Sequence, residues 1–183
     1  MNAVEKHLRQ VNEGMTLLNG EEVQTVIRSL MLIKAEGRTV YLVGNGGSAA
    51  TASHFANDLM KQAKIKAVCL NDQVPVMTAY GNDHGWENMY ANPLRMFKLD
   101  GYDGVFGISC SGKSENVIRA LGVGKERSAI TMGMTGMSDS SEINQAVQFG
   151  LVHARVPDIR VQEDLHMMVC HAIVRTIQEE GHA

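Results

Sequence analysis

The chain has 183 residues, a formal net charge of −3 at pH 7, 44% hydrophobic residues and 20% charged residues. This composition is ordinary for a soluble globular protein, and it gives no reason to expect nucleic acid or an anionic membrane as a partner. The first residues are polar, no apolar run approaches the ~20 residues of a membrane span, and the three cysteines lack a CxxC spacing. We therefore expect a cytoplasmic protein with reduced thiols and one domain over residues 1–183.

Residues 1–36 predict a helical arm ahead of the first strand. Apolar residues recur at spacings of three and four on either side of Asn19-Gly20, a pair that breaks helices. They are Val4, Leu8, Val11, Met15 and Leu18 in the first helix and Val23, Val26, Ile27, Leu30, Leu32 and Ile33 in the second. Such an apolar arm needs a partner, which is either its own sheet or another subunit.

From residue 37 onwards, strand and helix patterns alternate and predict an α/β core. The predicted strands cover residues 39–43, 65–70, 104–109, 129–134 and 149–156. The predicted helices cover residues 48–62, 74–80, 86–97, 114–126 and 160–179. Several strands are almost continuously apolar, which is typical of an open parallel sheet with helices on both faces. Such proteins bind ligands beyond the carboxyl ends of their strands.

A glycine turn at residues 44–48, Gly-Asn-Gly-Gly-Ser, joins the first strand to the next helix. Its glycines permit positive φ angles, and the free N–H groups and dipole of the helix favour an anion, most often phosphate. The same helix carries His54 and Asp58, which lie four residues apart on one face. A surface ion pair would explain these two residues alone. Their position after a phosphate turn favours chemistry on a phosphorylated small molecule.

A second strand-to-helix turn, the serine loop, has the sequence Ser-Cys-Ser-Gly-Lys-Ser at residues 109–114. The hydroxyls of Ser109, Ser111 and Ser114, together with unpaired backbone N–H groups, are suited to phosphate. The alternative is that Ser114 only caps the next helix while the other serines satisfy the turn. Neither turn has the spacing of a Walker loop or a dinucleotide fingerprint, which disfavours a nucleotide substrate. The glycine turn upstream strengthens the case for phosphate at the serine loop, because two strand-to-helix turns of one sheet can share a crevice.

Four titratable residues cluster in the last predicted helix: Glu163, Asp164, His166 and His171. Glu163 and His171 are a little over two turns apart, so both can face one side of the helix. His166 faces elsewhere, and we assign it to structure. Each residue also has a structural alternative. Glu163 can be part of an acidic first turn that complements the helix dipole, and His171 can be a buried core histidine.

Taken in order, these motifs resemble the SIS (sugar isomerase) domain family and, within it, the phosphoheptose isomerases. Besides the arm, the two turns and the last helix, the resemblance includes His54-Phe55-Ala56 and Asn82-Asp83 followed by Gly85. It implies an SIS-type open parallel sheet and the isomerisation of sedoheptulose 7-phosphate to D-glycero-D-manno-heptose 7-phosphate, which feeds heptose synthesis for surface polysaccharide. It also implies a homotetramer with active sites between subunits.

The resemblance assigns roles to individual residues. Asp58 and His171 exchange protons with the substrate. Zinc, or another divalent metal, is held by His54, Asp58, Glu163 and His171. The residues that contact the phosphorylated sugar are Asn45, Gly46, Ser48, Asp83, Ser109, Cys110, Ser111 and Ser114.

Three positions depart from the family pattern. Asp58 stands where many phosphoheptose isomerases have glutamate, Glu163 where they have glutamine, and Cys110 where they often have threonine. The family also includes a non-enzymatic branch that binds a replication initiator protein. Two alternatives therefore stay open: a non-catalytic module that binds a phosphosugar or docks a protein, and an isomerase of a different sugar phosphate.

Overall fold

Five parallel strands form one sheet in the part of the chain that the computed structural model describes, residues 1–136 and 142–181. The strands are β1 (Thr39–Gly44), β2 (Lys66–Cys69), β3 (Gly104–Ser109), β4 (Ile130–Thr135) and β5 (Gly150–His153). Every residue of β3 and β4 is buried, as expected for central strands that helices cover on both faces. The predicted α/β class with an open parallel sheet is confirmed.

The strand order β2-β1-β3-β4-β5 creates a switch point between β1 and β3. The chain adds β2 on one side of β1 and then crosses to the other side to form β3. The register pairs Gly44 at the end of β1 with Ile108 near the end of β3, so the turns that follow these strands start side by side. Open α/β sheets bind their ligands at such a point.

Helices cover both faces of the sheet. They are α1 (Ala3–Thr16), α2 (Gly20–Ala35), α3 (Gly47–Asp58), α4 (Val74–His84), α5 (Ala91–Met96), α6 (Glu115–Glu126), α7 (Glu142–Ala146) and α8 (Ile159–Glu180). One core packs α2, α3 and α8 against the sheet around residues such as Phe55 and Ile173. The other packs α5, α6 and α7 around residues such as Leu94 and Leu121. Among the described helices, none is long and apolar enough to cross a membrane.

The last helix, α8, returns to pack against both α2 and α3. This contact brings the side chains of the C-terminal helix to the helix that follows the glycine turn. The end of α3 is irregular: after Asp58 the chain continues as a π-helical turn, Leu59–Ala63, and closes with Lys64 at a positive φ of 58°.

The structure differs from the sequence prediction at four places. The strand predicted for residues 149–156 ends at His153, because β5 is an edge strand and its partner β4 ends at Thr135. The helix predicted for residues 48–62 changes to π geometry at Leu59. The region of residues 74–97 forms α4, a short 3-10 turn and α5 rather than two helices, and α7 has no predicted counterpart.

The predicted helical arm consists of α1 and α2. α1 begins with a capping box at Asn2, and Asn19, where the sequence predicts a break, caps α2. α2 buries Leu30 fully against the sheet, whereas α1 leaves Val4 and Leu8 exposed by 67% and 63%. The apolar arm is therefore covered in part by its own sheet, and one face of α1 stays open.

Candidate active site

The glycine turn brings the start of α3 to the switch point. Gly46, at the N-cap of α3, has φ 55° and ψ −123°, a conformation that L side chains rarely adopt. A Cβ on Gly44 would lie 2.6 Å from the carbonyl oxygen of Ser48, so only glycine lets the turn fold back this closely. No side chain caps α3. Its first N–H groups and the positive end of its dipole therefore favour an anion.

Three polar side chains hold the glycine turn in place, and the sequence patterns did not point to them. The amide of Asn71 accepts from the N–H of Gly44 at 3.2 Å and donates to its carbonyl oxygen at 2.9 Å. The hydroxyl of Tyr90 donates to the same oxygen at 2.6 Å, and burial raises the pKa of this hydroxyl to about 12. Asn116, fully buried, exchanges two hydrogen bonds of 2.9 Å with Asn45. These residues come from other elements of the fold, so no local spacing reveals them.

The serine loop follows β3 and leads into α6. The hydroxyl of Ser109 donates to Ser114 Oγ at 2.9 Å and lies 3.4 Å from Ser111 Oγ, so the three predicted hydroxyls meet. Gly112 turns the loop with φ 66°. Ser114 occupies the N-cap position of α6, but its side chain makes no capping hydrogen bond. The alternative in which Ser114 serves only as a cap is therefore not supported.

The glycine turn and the serine loop line one cleft of about 140 Å³. Its lining residues are Asn45, Ser48, Ile108, Ser109, Cys110, Ser111, Ser114, Ile159 and Glu163. Glu163 is the charged member of this set, and its carboxylate lies so close over Gly47 that a Cβ there would collide with it. The cleft therefore presents hydroxyls at the serine loop and a carboxylate at the glycine turn.

Cys110 connects the serine loop with α8. Its thiol lies 3.8 Å from Ser48 Oγ and 3.9 Å from Nδ1 of His166, and burial raises the pKa of the thiol. His166 is 1% exposed, and burial lowers the pKa of its imidazole to about 4. Within the described residues, its Nε2 has no hydrogen-bond partner. A neutral imidazole thus packs against the serine loop, which is consistent with the structural role predicted for His166.

His54, Asp58 and His171 come together where α3 packs against α8, and we refer to them as the histidine–aspartate cluster. His54 Nε2 lies 3.1 Å from His171 Nε2 and 3.2 Å from Asp58 Oδ2. One ligand atom from each residue lies within 4.8 Å of the other two. Asp58 is only 5% exposed, whereas both histidines are exposed.

The histidine–aspartate cluster has the donor set and the spacing of a zinc site. Two imidazoles and a carboxylate are the protein ligands of many catalytic zinc centres, which keep a fourth position open. Ligand atoms on one tetrahedral zinc ion, at bond lengths of about 2.0–2.1 Å, lie roughly 3.3 Å apart. The observed separations of 3.1 and 3.2 Å are close to this value. The residues present therefore fit a divalent metal ion.

Two of the predicted site residues lie elsewhere. Glu163 precedes His171 by about 12 Å of helix rise, and its carboxylate lies over Gly47, outside the histidine–aspartate cluster. Asp83 is exposed on α4 and belongs to a separate shallow surface pocket. Three of the four predicted metal ligands are thus brought together. All the predicted sugar contacts line the cleft except two. These are Asp83, and Gly46, which belongs to the glycine turn.

The cleft and the histidine–aspartate cluster lie along the same pair of helices. Gly47 begins α3 beside the cleft, and His54 follows after seven residues, about 10 Å of helix rise. On α8, Glu163 lies at the cleft and His171 in the cluster. The arrangement suits an extended ligand with an anionic group at one end and its reacting atoms at the other.

Known proteins resemble this chain along nearly its whole length. Residues 4–136 match the family model described as SIS domain. Phosphoheptose isomerase 2 of Campylobacter jejuni is 33% identical over 173 residues, which cover 90% of this chain and 85% of that protein. Phosphoheptose isomerase of Geobacter sulfurreducens is 32% identical over 176 residues, which cover 93% and 92% of the two chains.

The fold agrees with these relatives. The structure of phosphoheptose isomerase from Neisseria gonorrhoeae matches with a TM-score of 0.86 at 26% identity, over 96% of this chain and 95% of that chain. By family model, sequence and fold, the chain belongs to the SIS domain family and, within it, to the phosphoheptose isomerases, which are aldose–ketose isomerases.

Proposed function

We propose that this protein interconverts sedoheptulose 7-phosphate and D-glycero-D-manno-heptose 7-phosphate in the synthesis of heptose for surface polysaccharide. The observation that carries the proposal is the separation of about 10 Å along α3 between the cleft and the histidine–aspartate cluster. In a sugar 7-phosphate, the phosphate is at one end of the carbon chain, and C1 and C2, where the isomerisation occurs, are at the other. The phosphoheptose isomerase names of both sequence relatives support the same substrate.

The serine loop is the proposed phosphate site. Ser109, Ser111 and Ser114 supply converging hydroxyls, and the backbone N–H of Cys110 is a further candidate donor. Glu163 lies at the glycine-turn end of the same cleft. A carboxylate there repels a phosphate dianion but accepts hydrogen bonds from sugar hydroxyls. The sugar therefore lies over the glycine turn, and its phosphate lies at the serine loop.

Aldose–ketose isomerisation moves one proton between C1 and C2 through an enediol and a second proton between the two oxygens. We assign the carbon-bound proton to Asp58, which removes it from C1 of the ketose and returns it to C2. His171, whose imidazole is exposed, gives a proton to O2 and takes the proton of O1. Nε2 of His54 is adjacent to both residues and orients them.

The proposed metal ligands are His54, Asp58 and His171, with zinc as the preferred ion and another divalent metal as the alternative. When bound, such an ion polarises the sugar carbonyl and stabilises the negative charge of the enediolate. Glu163, which the sequence predicts as a fourth ligand, lies at the cleft. We therefore propose three protein ligands and a role in binding the sugar for Glu163.

We further propose a homotetramer with active sites between subunits, in which residues 1–183 act as one SIS domain with a helical arm. α4 buries none of its residues, although it carries the exposed Val74 and Val76. Asp83, on the same helix, lies outside the cleft of its own chain. The cleft of about 140 Å³ is also below the ~300–1,000 Å³ of typical ligand pockets. A second copy of the chain can supply the remaining walls.

A cytoplasmic location is part of the proposal. Its support is that Cys69, Cys110 and Cys170 are all buried and free, with no disulfide among them. Unpaired cysteines are typical of reducing compartments.

The test is turnover of purified, zinc-loaded protein on sedoheptulose 7-phosphate, followed by NMR, together with metal analysis of the protein as isolated. We expect bound metal and the signals of the heptose 7-phosphate. Metal without turnover of this sugar would favour an isomerase of a different sugar phosphate, which a panel of phosphorylated ketoses identifies. Absence of both metal and turnover would favour the non-catalytic binding module.

A further inference from the structure

The two carboxylate oxygens of Asp58 have different surroundings. Oδ2 faces the histidine–aspartate cluster, 3.2 Å from Nε2 of His54. Oδ1 accepts two amide hydrogen bonds, one from Gln62 Nε2 at 2.8 Å and one from Asn57 Nδ2 at 3.1 Å. One oxygen of a nearly buried carboxylate is thus held by neighbours, while the other points to the site.

Gln62 reaches Asp58 across an irregular part of the fold. Asp58 is the last residue of α3, and Gln62 lies within the π-helical turn Leu59–Ala63 that follows it. Single π-helical turns are rare and occur frequently at functional sites. The hydrogen bond of Gln62 is also the shorter of the two on Oδ1. Gln62 is therefore the main restraint on this oxygen.

We propose that Gln62 is a positioning residue for the isomerisation, because its amide fixes the Asp58 carboxylate with Oδ2 directed at His54. The inference rests on the proposed function for the chemistry at Oδ2, whereas the restraint itself is geometric. Without the Gln62 amide, Oδ1 keeps only the longer hydrogen bond from Asn57, and the carboxylate turns so that Oδ2 leaves its position beside His54. Partners that orient a ligating carboxylate affect both metal affinity and turnover.

A merely structural role for Gln62 would look different. Side chains four residues apart on a helix stabilise it slightly when they bond to each other. Loss of such a contact would lower the melting temperature a little and leave metal affinity and turnover unchanged. These two readouts therefore distinguish positioning from helix stabilisation.

The test replaces Gln62 with leucine, which removes the amide and keeps a side chain of similar bulk. Gln62 is exposed and lines an open surface cleft, so the fold tolerates the change. Gln178→Leu is the matched control, because Gln178 lines the same surface cleft and is not among the groups bonded to Asp58 in the described chain.

The first readout is the affinity of the metal-free protein for Co²⁺, measured in competition with a chelator. We expect Gln62→Leu to bind about 10-fold more weakly and Gln178→Leu to bind like the wild type. In steady-state kinetics on sedoheptulose 7-phosphate, Gln62→Leu should lower kcat by about 10-fold and leave KM near the wild-type value. Wild-type Co²⁺ affinity and kcat in Gln62→Leu would overturn the proposal.

A crystal structure of metal-free Gln62→Leu separates this inference from the proposed function. We expect Oδ2 of Asp58 to lie beyond hydrogen-bond distance of His54, whatever the substrate of the enzyme is. An unmoved carboxylate would refute the positioning role even if the wild type isomerises the heptose. If instead the carboxylate moves while the wild type turns over no sugar phosphate, the positioning role stands and the proposed function fails.

Discussion

Replacing His166 with leucine should make the stability of the protein less sensitive to acid. Burial lowers the pKa of this imidazole from 6.5 to about 4. Between these two pH values, His166 is protonated in the unfolded chain and neutral in the folded chain. Stability is therefore lost as the pH falls from about 6.5 towards 4. At about 1.4 kcal/mol per pKa unit, the full effect is about 3 kcal/mol. Leucine suits this site because the replaced ring has an unpartnered Nε2 in the described chain and packs on the Cys110 thiol.

The assay is urea unfolding at pH 7 and pH 4.5, at one fixed protein concentration because subunit association shifts apparent stability. Between these two pH values, the wild type should lose about 2–3 kcal/mol more than His166→Leu. The matched control is Gln162→Leu, which replaces another buried polar side chain on α8 with no titratable group. It should keep the acid sensitivity of the wild type. If His166→Leu loses as much stability on acidification as the wild type, His166 is not held neutral in the folded protein and the reasoning is wrong.

Three further predictions concern the glycine turn, the phosphate and the proton transfer. Gly44→Ala places a Cβ 2.6 Å from the Ser48 carbonyl oxygen and should lower the free energy of unfolding, measured with heat or urea, by about 1–3 kcal/mol. The control is Gly122→Ala, whose new Cβ has nothing within 4 Å. It should stabilise α6 by about 0.5–1 kcal/mol. Equal effects of the two changes would contradict the close approach in the turn. Ser111→Ala should raise KM for the sugar phosphate about 10-fold through loss of one hydrogen bond to a charged group, with kcat little changed; a selective fall in kcat would place Ser111 at the reacting carbons instead. His171→Ala should lower kcat by about 10²- to 10⁴-fold, and a turnover rate near that of the wild type would rule out its role in proton transfer.

The glycine turn and the serine loop could be predicted as strand-to-helix turns because their signals are local. A β-branched strand, a run of glycines and a helix follow one another at residues 39–58, and the serine loop repeats the pattern after β3. Parallel strands place such turns at one edge of the sheet, so the shared cleft follows from the fold class. The pairing of His54 with Asp58 was predictable for the same reason, since residues four apart share a helix face.

The remaining parts of the site depend on contacts between distant elements. Three residues from other elements hold the glycine turn, and none of them belongs to a sequence motif. Asn71 lies in the turn after β2, Tyr90 lies just before α5, and Asn116 lies in α6. The family resemblance implies Glu163 as a fourth metal ligand, and its angular position on α8 allows it to share a face with His171. The rise of about 12 Å along the helix between Glu163 and His171 separates the two side chains, and Glu163 lies at the cleft, outside the histidine–aspartate cluster.

The most direct test of the account follows sedoheptulose 7-phosphate in D₂O by NMR, with zinc-loaded wild-type protein and with Asp58→Asn. If Asp58 removes a proton from C1 and returns one to C2, the wild type should form heptose 7-phosphate and introduce deuterium at these carbons. Asp58→Asn is similar in size but lacks the base. Its rates of isomerisation and of deuterium exchange should both be lower by about 10²-fold or more, as expected for loss of a general base. Isomerisation and exchange at the wild-type rate in Asp58→Asn would contradict the account.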